Sequence, residues 1–86
     1  VHFLVQKFGP ADSPRGIRYS AIGNEPGLWS HTHPLIAREK TRVQDYLPKA
    51  IALARAVKRV DPQAQIIGPA SFGLFELYGF CDAPDW

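Results

Sequence analysis

Residues 41–60 run TRVQDYLPKAIALARAVKRV, and the spacing of their apolar side chains decides the fold. Val43, Tyr46, Leu47, Ala50, Ile51, Ala54, Val57 and Val60 recur at steps of three and four. At about 3.6 residues per turn, that spacing gathers them into one stripe on a helix. The basic residues Arg38, Lys40, Arg42, Lys49, Arg55, Lys58 and Arg59 cluster in and just before this stretch and are expected on its solvated face. Thr41 followed by Gln44 resembles a capping box at the helix start. Pro48 lacks the N–H that would bond the Gln44 carbonyl. The helix is therefore expected either to kink there or to begin near Asp45. Asp61-Pro62 ends it.

Outward from this helix the flanking segments are short and strand-like. Residues 17–22 put Ile17, Tyr19 and Ala21 on one face, with Arg18, Ser20 and Ile22 on the other. Residues 65–68 form a second short strand, closed by Pro69. Residues 1–8 carry Phe3, Leu4, Lys7 and Phe8 at helical spacing and are stopped by Gly9-Pro10. A strand, a crossover helix and a second strand make the repeat of a parallel α/β sheet. Two strands and one helix cannot cover both faces of a sheet. A (β/α)8 TIM barrel takes roughly 250 residues. The expectation is that residues 1–86 are part of one catalytic barrel domain, about a third of it by that figure, with no complete second domain.

The whole chain is 86 residues with a net charge of +2, 45% apolar and 21% charged. That profile is globular, and the charge is too mild to argue for a nucleic-acid partner. Nothing approaches the roughly 18 consecutive apolar residues of a membrane span. The first residues lack the basic segment and apolar run of a secretory leader. A start on Val1 is expected of an excised or partial chain. One cysteine, Cys81, rules out an internal disulfide and is open to either burial or an external partner. Nothing in the residues specifies an oligomeric state.

The chemistry gathers in two loops that leave the carboxyl ends of the strands. The first, residues 24–40, is long for a structureless connection, and such loops are usually functional. It begins Asn24-Glu25-Pro26-Gly27 and carries Trp29, His31 and His33. A carboxylic acid at a strand end can protonate a departing sugar oxygen and then serve as a base toward water. An adjacent Asn can donate to a sugar hydroxyl. Trp29 fits either stacking on a pyranose or ordinary packing. Phe72, Phe75 and Tyr78 in the second loop, residues 70–86, are weaker versions of the same idea. Two histidines spaced by two residues lack the third ligand and the spacing of a zinc site, so hydrogen bonding in a cleft suits them better. No phosphate loop or nucleophile elbow is present, and no metal or cofactor is implied.

Taken together, Tyr19-Ser20-Ala21-Ile22-Gly23-Asn24-Glu25-Pro26-Gly27-Leu28-Trp29-Ser30-His31-Thr32-His33-Pro34 resembles the glycoside hydrolase family 44 endoglucanases and xyloglucanases. Val60-Asp61-Pro62-Gln63-Ala64-Gln65-Ile66-Ile67-Gly68-Pro69-Ala70, Lys7-Phe8-Gly9 and Ala83-Pro84-Asp85-Trp86 fit the same family. The resemblance implies a barrel with an added β-domain, retaining chemistry, and endo-hydrolysis of β-1,4-glucan of the cellulose or xyloglucan type. It implies Glu25 as the acid/base, with Asn24 as the residue before it; the residues themselves, rather than the resemblance, offer Asn24, Trp29, His31, His33 and Phe72 as substrate-binding candidates. It also implies a β-glucan polysaccharide as partner, a secreted enzyme, and a nucleophile outside these residues. Two departures stand out. Gly23 replaces the Asp that usually precedes the Asn, a change expected to loosen the carboxylate's support. Ser71-Phe72 stands where the family tends to carry Trp. The alternatives are another barrel glycosidase acting on xylan or mannan, or a non-catalytic carbohydrate-binding remnant.

Overall fold

The apolar stripe of residues 41–60 becomes one helix lying between two strands that pair in parallel. The computed structural model describes residues 1–80 and 83–86; Cys81, and with it either role considered for that thiol, lies outside the described residues. The order is α1 (His2–Phe8), β1 (Tyr19–Ala21), α2 (Trp29–Thr32), α3 (Val43–Val60) and β2 (Gln65–Ile67). Single 3-10 turns occupy Pro26–Leu28 and Leu74–Leu77. In the sheet Tyr19 faces Gln65, Ser20 faces Ile66 and Ala21 faces Ile67. The neighbouring parallel strands joined by a helix are those expected, although both are shorter than the pattern suggested.

Pairing nevertheless runs past the strand ends. Gln65 N–H donates to the Arg18 carbonyl at 2.7 Å and Ile22 N–H to the Ile67 carbonyl at 2.9 Å. Beyond them, Asn24 forms a parallel bridge with Ala70.

One face of this sheet is covered and the other is open. Val57 of α3 packs with Ala11 and Ala64, and Ile66 joins them. Ser20 is half-buried and Ile22 buried on the same side, whereas Tyr19 and Ile67 remain 56% and 51% exposed. The α3 stripe is likewise only partly covered: Tyr46 and Val57 are buried, but Leu47 and Ile51 are exposed. Arg42, Lys49, Arg55, Lys58 and Arg59 all face solvent. Lys58 turns back on the helix end, donating to the carbonyls of Pro62 at 2.5 Å and Ala64 at 2.9 Å.

Both ends of α3 are tied to distant chain. At the carboxyl end the buried Asp61 accepts the Ala11 N–H at 2.9 Å, locking the residues before β1 onto the helix. At the amino end the expected Thr41–Gln44 box does not form. The Thr41 hydroxyl donates instead to the Pro26 carbonyl at 2.6 Å. Asp85 takes over the cap, accepting the Val43 and Gln44 N–H groups with its two oxygens, each at 2.9 Å. A carboxylate there satisfies two orphan donors and sits at the positive end of the helix dipole. The helix starts at Val43 rather than near Asp45, and Pro48 is accommodated inside it. Residues 1–8 form the expected helix, with Gly9 at φ 89° donating its N–H to the Val5 carbonyl at 2.8 Å.

The Gln44 N–H, offset by partial desolvation and reinforced by Val43 N–H and the Arg42 charge, holds the Asp85 carboxyl below its ordinary range. A carboxyl depressed on folding stabilises above its unfolded pKa, about 3.9 for Asp. That stabilisation disappears as pH falls through the lower folded value. Asp85→Asn is therefore expected to lower the melting temperature at neutral pH. The gap from the parent should narrow on acidification below about pH 4. Paired melts across that titration check it, and a gap that does not change with pH would remove the carboxylate from the cap.

Candidate active site

Glu25 stands where the parallel ladder ends. Ala70 N–H donates to the Gly23 carbonyl at 3.1 Å, and Glu25 N–H donates to the Ala70 carbonyl at 2.8 Å. Glu25 therefore lies at the carboxyl end of β1, on the edge from which Ser71 and Phe72 leave β2. Its backbone has φ 44° and ψ 53°, the one positive φ of a non-glycine among the described residues. A side chain in that region costs about 1–3 kcal/mol and persists only where neighbours over-determine it. Here they do. The following Pro26 is fully buried, its carbonyl is held by Thr41, and Leu28 N–H closes back on the Glu25 carbonyl at 2.9 Å. The Glu25 side chain is half-buried and makes no capping hydrogen bond to the turn that follows, so the backbone is fixed and the carboxylate is not spent on the loop.

The loop after Glu25 is ordered by its aromatic residue. Trp29 Nε1 donates to the Asn24 carbonyl at 2.9 Å. Its ring meets Tyr46 edge-on, centroids 5.9 Å apart, and Tyr46 in turn packs on Phe80 at 5.6 Å. Burial pushes the Tyr46 phenol up, so it stays protonated and donates weakly to the Ile22 carbonyl at 3.4 Å. The sequence pattern showed Tyr46 only as one member of the helix stripe. Its second role, beneath the loop that carries Glu25, depends on the crossing of α3 under residues 22–29. No spacing in the chain reveals that crossing.

The structure brings some of the candidates together and separates others. Asn24, Trp29 and His33 line one groove with Ile36 and Ala37, of about 500 Å³. His33 Nδ1 lies 2.7 Å from the Thr32 hydroxyl, which also donates to the Leu28 carbonyl. His31 is exposed on α2 and does not line this groove. Phe72 belongs to a different hollow, in the segment after β2. Trp29 anchors the loop through its N–H and also lines the groove of Asn24 and His33. Among the described residues no three His, Cys, Asp or Glu side chains converge as metal ligands, and no helix is long and apolar enough to cross a membrane.

Gly23 has a steric reason of its own. Its φ is 72°, and a Cβ there would sit 2.6 Å from the Tyr46 hydroxyl. The glycine gives up a side chain beside Asn24 and lets Tyr46 pack directly under the loop.

Comparison with known proteins converges on one group. A model of glycoside hydrolase family 44 matches residues 1–85. Endoglucanase A of Paenibacillus lautus is 44% identical over all 86 residues, which make up 12% of its length. Beta-mannanase/endoglucanase A of Caldicellulosiruptor saccharolyticus is 41% identical over the same 86 residues, 6% of its length. Among solved structures, a family 44 endoglucanase from Clostridium thermocellum is 48% identical and superposes with a TM-score of 0.91. The Paenibacillus polymyxa family 44 xyloglucanase, solved with xyloglucan, is 41% identical with a TM-score of 0.92. In both, 99% of this chain is matched, against 17% of the solved chain.

Gly23→Ala is expected to destabilise the fold by about 1–2 kcal/mol from the left-handed backbone alone, with the Tyr46 collision adding to it. Because the short contact is to the hydroxyl, Tyr46→Phe in the same chain should recover the collision and leave the backbone cost. Denaturation of the two single variants and the double variant checks this. Purely additive losses would mean that Tyr46 does not press on Gly23.

Proposed function

Because the chain belongs to glycoside hydrolase family 44, we propose that it supplies the acid/base strand of a retaining endo-β-1,4-glucan hydrolase. In this reading Glu25 protonates the glycosidic oxygen as the sugar leaves. A second carboxylate, from chain outside these 86 residues, attacks the anomeric carbon and forms the glycosyl-enzyme intermediate. Glu25, now ionised, takes a proton from the water that releases the sugar. Asn24, immediately before it, is assigned to a sugar hydroxyl, and bonds to the 2-hydroxyl strengthen in the transition state. Trp29 and His33 border the adjoining groove and are assigned to sugar contacts. His31 and Phe72 keep the weaker substrate-binding role that their residue types and loop positions suggest.

The observation that supports this reading most is the bond from Glu25 N–H to the Ala70 carbonyl. It holds a strained carboxylate-bearing residue at the end of two parallel strands, the edge at which barrel enzymes assemble their chemistry. The segment is accordingly read as part of one (β/α)8 catalytic domain. The substrate is read as a β-glucan of cellulose or xyloglucan type, with an extracellular setting to match a polymer. Mannan is the second reading, because one relative is named a beta-mannanase as well as an endoglucanase.

In a complete catalytic domain carrying these residues, Glu25→Gln should cut kcat on unactivated glucan by about 100- to 10,000-fold. Binding should be nearly intact. The amide keeps the shape but has no proton to give. An aryl glycoside with a good leaving group should lose less in its glycosylation step; equal, small losses on both substrates would move the acid elsewhere.

The 86-residue chain alone should hydrolyse no β-glucan at any pH, because retention needs two carboxyl groups about 5 Å apart. Reducing-end assays on the purified chain check this. Turnover with retained anomeric configuration would bring the nucleophile inside these residues.

A further inference from the structure

The left-handed backbone of Glu25 is held torsion by torsion. Its N–H is taken by the Ala70 carbonyl at 2.8 Å, and its own carbonyl accepts the Leu28 N–H at 2.9 Å. Those two bonds flank its φ of 44° and ψ of 53°. The next torsion, φ of Pro26, is closed by the ring at about −65°. Rotation about ψ of Pro26 is then the remaining freedom. It is stopped by the Thr41 hydroxyl, which donates to the Pro26 carbonyl at 2.6 Å. The other restraints are backbone bonds or the proline ring itself. Thr41 supplies the one that a side chain from elsewhere in the chain makes.

The position of Thr41 makes that bond an anchor. It stands at the far end of the loop, just before α3, so the bond closes residues 26–41 and ties the turn after Glu25 to the helix start. That start is itself fixed, since Asp85 accepts the Val43 and Gln44 N–H groups. Pro26 is fully buried, and a buried carbonyl that loses its donor is costly. Rotation about Pro26 ψ would relieve that cost, and the same movement would let the strained backbone at Glu25 relax. Thr41 is absent from the lining of the groove formed by Asn24, Trp29 and His33. Its influence on the reaction therefore runs through the placement of Glu25 and not through contact with sugar.

We propose that Thr41 is a positioning residue, whose hydroxyl fixes the Pro26 carbonyl and so holds the Glu25 carboxyl in reach of the glycosidic oxygen. It rests on the reading of Glu25 as the acid and assigns to that reaction a residue that never meets the substrate.

The experiment uses a complete catalytic domain carrying these residues. Thr41→Val keeps the size and branching of the side chain and removes the donor. On unactivated glucan kcat should fall about 10-fold or more, because misplacing a reacting group by about 1 Å can cost about 100-fold. KM should stay near that of the parent, since no sugar contact is lost. An aryl glycoside with a good leaving group needs less from the acid and should lose less. Thr41→Ser returns the hydroxyl and should recover most of the kcat. Added to Glu25→Gln, Thr41→Val should lower the glycosylation rate little further, because residues that act as a unit are not additive. Thr41→Ala drops the same donor with less bulk to misfit, and carries the same expectations if Thr41→Val folds poorly. Parental kcat with a lowered melting temperature, a rise in KM alone, or a loss that multiplies in full with that of Glu25→Gln would overturn the proposal and leave Thr41 a structural tie. The reading of Glu25 fails by a different result, parental kcat in Glu25→Gln alone.

Discussion

The pairing of residues 23–25 with Ala70 is the constraint on which the rest of the site depends. Parallel strands donate and accept along a slanted ladder. Here the ladder continues beyond β1 and β2 until Ala70 N–H reaches Gly23 and its carbonyl takes the Glu25 N–H. Those two bonds join the starts of both loops into one edge. Without them, the left-handed backbone at Glu25 would relax, since isolated non-glycine residues rarely hold φ 44°. With them, the turn into buried Pro26 is set, and the carboxylate side chain is presented while its backbone is consumed in pairing.

Support for that edge comes from beneath, through an aromatic column and two polar struts. Trp29 meets Tyr46 edge-on and Tyr46 packs at a tilt on Phe80, joining the first loop, the helix and the last segment. Thr41 reaches the Pro26 carbonyl, and Asp85 reaches the first turn of α3. Helix, first loop and last segment thus share bonds in a closed circuit. A shift in any one of them is transmitted to the residues around Glu25. Gly23 belongs to this circuit as its thinnest point. The missing side chain lets the Tyr46 hydroxyl approach the backbone.

Much of this was legible from residue patterns where the cause is local. The three-and-four spacing of residues 43–60 gave the helix, Gly9-Pro10 ended the first one, and the strand–helix–strand order gave the parallel pair. Glu25 could be singled out because its surroundings in the chain, Asn24, Pro26 and Trp29, are themselves the signal. What escaped was non-local. The helix cap comes from Asp85, 41 residues beyond Gln44, and no capping pattern reaches that far. Thr41 looked like a cap because its spacing to Gln44 fits, but the Pro26 carbonyl competes for the hydroxyl and wins. The strands ended early because segments of three residues are defined by their partner's register. The division of Trp29, His33 and Phe72 between two hollows follows from where the loops fold back, which alternation in the chain does not encode.

The uncovered surface carries a consequence for how the edge is built. Tyr19 and Ile67 on the open sheet face, and Leu47 and Ile51 on α3, are all exposed by about half of their surface. Removing apolar area from water is worth roughly 25 cal/mol per Å², so these side chains are a large unused source of stability beside a small core of Ala11, Val57 and Ala64. The chain corresponds to 17% of the solved family members it superposes on. Under the proposed barrel the open sheet face is the interior wall, and neighbouring strands would cover Tyr19 and Ile67 directly below Glu25. The same contacts that complete the core would then stiffen the strand ends and bring a second carboxylate across from the first. Under that proposal, completion of the fold and completion of the carboxylate pair would be one event. A chain with only this ladder can shape the Glu25 backbone, but burial of its open face is what would hold that shape against the strain stored there.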